Sequence, residues 1–312
     1  MTQNAHGRAA RPPARLSRLL VAPALLAVAA AACSPAPTSG PTSPNSSGAP
    51  SGVASSASPG PSDAPTTGAI AHPTGARDVV LRIEETGGLM AVEMTATYTP
   101  TFTLYGDGTV VWRDNQAPTP QASDNLFRAT PLNIAKLDEA SIQALLQEAI
   151  GPGGLGVANG SYGTVGGDIP ATVFTVNAGD LPEPKRVEVI GLSPDMHPQN
   201  LQVITALAGF AEKLRTFDEL VTAQPYVPAG FRGVLIPTDQ AFGPVVKWPW
   251  KDLAPKDFGG DSELSRIKDL TAEQVAAIGI DDIAGGVSGF VLQDSDDLYS
   301  FAVRPLLPDE LT

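Results

Sequence analysis

"TFTLYGDGTVVWR", residues 101–113, decides the fold. Apolar and β-branched residues crowd both sides of Asp107-Gly108, the turn chemistry that closes a two-residue β-hairpin. "DVVLRIEE", residues 78–85, has the same strand character just upstream. Downstream the period changes. In "LDEASIQALLQEAIG", residues 137–151, Ile142, Leu145, Leu146, Ala149 and Ile150 share one helical face, with Asp138 placed to cap the start and Gly151 to close the end.

The alternation continues outward. "ATVFTVNA" (171–178) and "KRVEVIGL" (185–192) read as a strand pair around "GDLPEP", and "PQNLQVITALAGFAEKLRTF" (198–217) repeats Leu201, Ile204, Ala208, Ala211 and Leu214 at helical spacing. Strands, helix, strands, helix predicts an α+β fold: an antiparallel sheet with two helices on one face. "TAQPYVPAG" (222–230) marks a seam, so the expected units are residues 77–221 and a smaller β-rich α+β segment, residues 222–312. That segment runs from "RGVLIPTD" through "KWPWKDL" to a short helix at "TAEQVAAIG", where Thr271 and Gln274 have capping-box spacing. It closes with two apolar runs about the acidic turn Asp294-Ser295-Asp296-Asp297.

The N-terminal part has a different character. Arg8, Arg11, Arg15 and Arg18 precede an uncharged run from Leu19 to Ala32, which is the layout of an export signal. The run is short of the roughly 20 apolar residues that a spanning helix needs. Ala30-Ala31-Ala32 stands immediately before Cys33, the only cysteine. That stretch resembles the lipobox of bacterial lipoproteins, with Ala30 where the family usually has Leu. The resemblance implies that residues 1–32 are a signal peptide and that Cys33 is lipidated on the extracytoplasmic face; plain secretion is the alternative. With Cys33 consumed, neither a disulfide nor a cysteine-ligated metal is available.

Residues 34–76 are almost entirely Ser, Pro, Ala, Thr and Gly, a composition that cannot bury a core. They read as a disordered tether, able to span roughly 35 Å as a flexible chain and about 130 Å if polyproline-like. From residue 77 onward the chain carries 16 basic and 32 acidic residues. Nucleic acid and anionic lipid surfaces demand basic patches, so both are excluded as partners of the folded part.

Catalytic signals are sparse. His197 is the only histidine after residue 77, in an expected surface loop, and no HExxH motif exists. "NGSYG" (159–163) has glycines at 160 and 163, the wrong spacing for a nucleophile elbow, and lies in "GPGGLGVANGSYGTVGGD", which reads as a flexible loop able to form a binding edge. Asp294, Asp296 and Asp297, and likewise Asp281-Asp282, lack the glycine and terminal glutamate of a calcium loop. No cofactor is implied. Trp248 and Trp250, flanking Pro249, admit two readings: amphipathic faces that stack on sugars or anchor a protein, or fillers of a small core.

"FTLYGDGTVV", "TVFTVNA" and the tail "RPLLPDE", with the lipobox-like site and tether, resemble a group of uncharacterised lipid-anchored lipoproteins of high-GC Gram-positive bacteria. The likeness implies a location and no mechanism. Residues 79–217, which include "LRIEETGGLM" (81–90), are similar in element order to emfourin-type inhibitors of bacterial metalloproteases. That likeness implies an inhibitory edge at Gly87, Gly88 and Leu89.

The expectation is therefore an extracytoplasmic, lipid-anchored binding or structural module, more a binder than an enzyme, meeting an envelope protein or glycan. The alternatives are an emfourin-like protease inhibitor and a carboxylate-based hydrolase of the cell envelope, the latter needing two facing carboxylates with one pKa raised.

Overall fold

The computed structural model describes residues 68–311, apart from 90–94, 96, 115–123, 164–167, 180–182 and 261–264. Cys33, the signal-like run and most of the tether-like stretch lie outside the described residues. The fold is α+β, built on two sheets.

The first sheet grows from the hairpin. β1 (Val79–Gly87), β2 (Phe102–Tyr105) and β3 (Thr109–Arg113) pair antiparallel in succession. The turn differs from the expected two residues: the Gly108 N–H donates to the Tyr105 carbonyl at 2.9 Å, which makes a three-residue loop. Gly108 has φ 86° and its carbonyl accepts from the Leu137 N–H at 2.8 Å, so a left-handed residue without a side chain is required there. β4 (Phe127–Arg128), β5 (Leu132–Lys136) and α1 (Glu139–Ile150) follow. After α1 come β6 (Ser161–Tyr162), β7 (Pro170–Val176), β8 (Lys185–Ile190), α2 (Leu201–Arg215) and β9 (Gln224–Pro225). The strand order is β6-β8-β7-β1-β2-β3-β5-β9.

Both long helices cover the face bearing Leu81, Ile83, Phe102, Leu104, Trp112 and Phe174. The Asp138 carboxylate accepts the Ser141 N–H at 2.8 Å and starts α1 as expected. α2 is rotated from the expected stripe: Leu207 and Phe210 are buried with Ile204, Ala211 and Leu214, whereas Leu201 is exposed. The physical reason is packing, because Phe210 and Leu207 supply more apolar area than Leu201 and Ala208 would. Ile70 also belongs to this layer, exchanging hydrogen bonds with Gln143 at 2.8 and 2.9 Å, so the chain joins the fold before Arg77.

The second sheet comprises β10 (Phe231–Thr238), β11 (Val245–Lys247), β12 (Arg266–Leu270), β13 (Val287–Asp294) and β14 (Asp297–Pro305), in the order β11-β13-β14-β10-β12. α3 (Ala272–Ala276) starts with the Thr271–Gln274 capping box. β4 departs from its sequence neighbours and pairs with β13, opposite Val287 and Ser288. Arg128 fixes it there, gripping the Asp124 carboxylate at 2.6 and 2.9 Å and donating to the Asp281 carbonyl at 3.1 Å. The hydrogen bonds from Arg128 hold the Asp124 carboxyl down at about 2.

The tail "RPLLPDE" fastens one sheet to the other. Asp309 accepts from Arg82 at 2.8 Å and from the Tyr105 hydroxyl at 2.6 Å, both on the first sheet. Its neighbour Glu310 accepts from Arg304 at 2.5 and 2.7 Å and from Arg232 at 3.1 Å, both on the second. Burial alone would push the Glu310 carboxyl up, but Arg304, the Leu307 N–H and Arg232 together bring it below the ordinary carboxylate value. Leu307 packs beneath with Tyr105, Val111 and Leu132. Between the sheets lies Arg113, bonded to the Thr130 carbonyl and the Thr99 hydroxyl and pulled down to about 10 by burial and by Arg304. Among the described residues no helix is long and apolar enough to cross a membrane.

Candidate interaction surface

Of the tryptophans of "WPW", Trp250 belongs to the second core and Trp248 packs half-buried against it. Pro249 separates them so that both rings enter the interior beside β14, and they meet edge to face with centroids 5.0 Å apart. The Trp248 indole N–H donates to the Leu253 carbonyl at 2.6 Å and that of Trp250 to the Gln274 carbonyl at 2.8 Å. Trp250 also packs on Phe258 and Phe301 and is 9 % exposed. With their N–H groups satisfied inside and their rings packed on other aromatics, the pair offers less free face for stacking on a sugar than two exposed rings would. Trp250 borders a pocket of about 340 Å³ shared with Lys251, Asp252, Leu253 and Glu273, and Trp248 is half-buried.

Gly87, Gly88 and Leu89 occupy a protruding corner. β1 ends opposite Pro170, and φ values of 70° and 84° at Gly87 and Gly88 turn the chain so that Leu89 stands 78 % exposed. Side chains with a Cβ rarely adopt that conformation, which explains the glycine pair. Beside the corner is a pocket of about 230 Å³ lined by Glu84, Glu85, Thr86, Tyr98 and Thr99. Glu85 accepts from Arg215 at 2.9 Å and from the Thr172 hydroxyl at 3.1 Å. Burial, reinforced by the Glu85 charge, raises the Tyr98 pKa.

His197 is buried, in contrast to the surface position expected for it. Its Nε2 lies 2.9 Å from the Ile190 carbonyl and 3.0 Å from that of Gly191, so the ring ties the end of β8 to the start of α2. The described part of the glycine-rich stretch, to residue 163, is also anchored, with Leu155, Ala158 and Tyr162 in the first core. Asp294 and Asp297 form the last ladder pair of the β13–β14 hairpin. Among the described residues no group of three or more His, Cys, Asp or Glu is arranged to hold a metal ion.

The surface that sequence reading passed over is the outer edge of the second sheet. β11 pairs with β13 in parallel, the Val291 N–H donating to the Pro244 carbonyl at 2.9 Å and the Trp248 N–H to the Gln293 carbonyl at 2.8 Å. In a parallel ladder alternate residues carry the bonds, so Val245 and Lys247 direct their N–H and C=O groups away from β13. β11 ends the strand order, and no described strand meets those groups. Apolar side chains surround them: Phe242 is 86 % exposed, Val245 48 %, and Phe127, from β4 on the same side of β13, 41 %. A Cβ on Gly243 would collide with the Gly289 carbonyl, so the chain lies tight on β13 here and Phe242 has only the outside to occupy. "AFGPVVK" contains the signal in Val245 and Val246, but Gly243 and Pro244 make it read as a loop.

No protein-family model, curated protein or solved structure matches the chain. The functional reading therefore rests on the geometry of this molecule.

Proposed function

We propose that the protein is a lipid-anchored extracytoplasmic binding module, fixed through Cys33 and recruiting an envelope protein at the end of its tether. The single observation that carries the binding part is the outer edge of the second sheet, where outward backbone groups of β11 that no described strand meets lie near the exposed side chains of Phe242, Val245 and Phe127. Soluble folds ordinarily blunt or cover such an edge, so one left apolar is suited to a partner. The Ala30-Ala31-Ala32-Cys33 stretch supports the anchor and the Pro/Ser-rich tract the standoff.

The test is crosslinking of a tagged full-length copy in the cells it comes from, beside the Cys33→Ser and Phe242→Asp variants. A protein partner captured by the wild type and lost with Phe242→Asp supports the reading, and Cys33→Ser should move the protein out of the membrane fraction. Catalytic turnover that disappears on changing one pocket carboxylate would overturn it in favour of a hydrolase.

A second reading, an emfourin-like protease inhibitor, is favoured by Leu89, held 78 % exposed on its two left-handed glycines. It requires that the full chain inhibit a secreted metalloprotease and that Leu89→Asp lose the inhibition. A panel of such enzymes left fully active would end it.

A further inference from the structure

We infer that the partner binds by adding a β-strand to β11, and that the added strand has an apolar centre with basic residues at its ends. This rests on the reading of the second sheet's open edge as the recognition surface, and goes further by naming the mode and the chemistry.

The mode follows from the backbone. Val245 and Lys247 each direct one donor and one acceptor outward, the pattern that an incoming extended chain satisfies. The inner ladder uses Pro244, Val246 and Trp248 instead, so the outer groups are available without disturbing the sheet. Specificity then comes from the side chains along this edge, and the exposed apolar ones are Val245 on β11 and Phe242 just before it.

The charge of the partner follows from what flanks that apolar stretch. Asp239 is exposed three positions before Phe242 in the chain. At the other end, Lys247 pairs with Gln293, and the acidic turn Asp294-Ser295-Asp296-Asp297 begins at the next residue of β13. The field of that turn is felt nearby: after burial, Asp297 is the main cause that raises the Tyr299 pKa, with Asp294 adding to it. An apolar edge between two acidic ends selects a segment with apolar residues in the middle and Lys or Arg outside. Lys247, the last residue of β11, offsets one charge of the acidic turn, so the basic residue at this end falls beyond Lys247, towards the turn.

Other occupants are disfavoured by the same observations. A second copy would bring together two folded parts with 32 acidic against 16 basic residues each. The protein's own tract 34–76 has neither Lys nor Arg and is dense in proline, which removes ladder donors.

The probe is a fluorescein-labelled synthetic peptide of alternating Val and Thr between paired lysines, titrated with the full-length Cys33→Ser protein and read by anisotropy. Val245→Pro deletes an outward N–H and leaves the inner bonds in place, and Phe242→Ser removes exposed apolar area. Binding at least about tenfold weaker in both variants, and weakened further by salt, is the expected result. A glutamate-flanked version of the peptide should not bind.

Three results would overturn the inference: no binding of the lysine-flanked peptide at about 1 mM, equal binding by wild type and both variants, or a dimer in solution that Val245→Pro dissolves. Should Val245→Pro fail to fold, Phe242→Ser decides alone, since that side chain is exposed. If cellular capture persists through Val245→Pro, strand addition is wrong while the binding module stands. Loss of all capture by the wild type removes the module itself.

Discussion

The two sheets solve the same problem with different means. The first buries its inner face under two helices of 12 and 15 residues, and its core is continuous from Val80 to Phe217. The second has, among the described residues, one α-helix of 5 residues, and its core joins aliphatic side chains to a cluster of rings, Trp248, Trp250, Phe258, Phe290, Tyr299 and Phe301 meeting mostly edge to face. A helix shields a wide area and leaves little unclaimed. Rings concentrate stability in a small volume, so the second sheet can be well packed at its centre and still offer an apolar edge.

The strongest way to break that contrast is to empty each core in turn. Phe174→Ala in the first sheet and Phe301→Ala in the second should each cost about 3–5 kcal/mol, because both side chains are fully buried. Each should lower one shared unfolding transition by calorimetry, since β4 and the Asp309–Glu310 pair join the sheets. Two separate transitions in the wild type would show that the sheets are independent.

Next in size is the fastening itself. Glu310→Gln should cost about 1–3 kcal/mol, since hydrogen bonds to two arginines lose their charge. The same carboxylate gives a pH dependence. Its folded pKa lies below the ordinary value of 4.5, so its contribution is complete above that value and is lost as the pH falls through the lowered one. Thermal melts from about pH 6 to about pH 3 should therefore fall less steeply in Glu310→Gln than in wild type.

Smaller effects sharpen the comparison. Thr271→Ala removes the cap of the short helix and should cost about 1 kcal/mol by denaturant titration, as the Gln274 N–H loses its 3.2 Å acceptor. Smallest of all, Phe242→Ser should change stability by less than about 0.5 kcal/mol. If it costs substantially more, the edge is part of the core and the contrast between the sheets fails.

The elements with strong local chemistry were legible in the sequence. The hairpin around Asp107-Gly108, the Asp138-capped α1 and the Thr271 capping box all follow from neighbouring residues. What escaped depends on distant partners. A two-residue strand such as β4 has no period to detect, and its acceptor β13 lies more than a hundred residues away. The stripe of α2 was misplaced because Leu201 and Leu207 are chemically alike and only the sheet beneath chooses between them. Trp248 and Trp250 were visible as a feature, yet whether a ring faces water or a neighbouring ring is decided by Phe258, Tyr299 and Phe301. Phe242 and Val245 were hidden by their own breakers, Gly243 and Pro244.

The crossing of β4 into the second sheet has a consequence for heredity. Arg128 reaches Asp281 across 153 positions of the chain, while Gln224 and Pro225, just past the first sheet's last helix, return to pair with β5. A single recombination between residues 129 and 223 would hand a new host the second sheet without its borrowed strand and strip the first of its own edge. The gene segment that carries every described strand together with its partner is therefore the whole of the described fold.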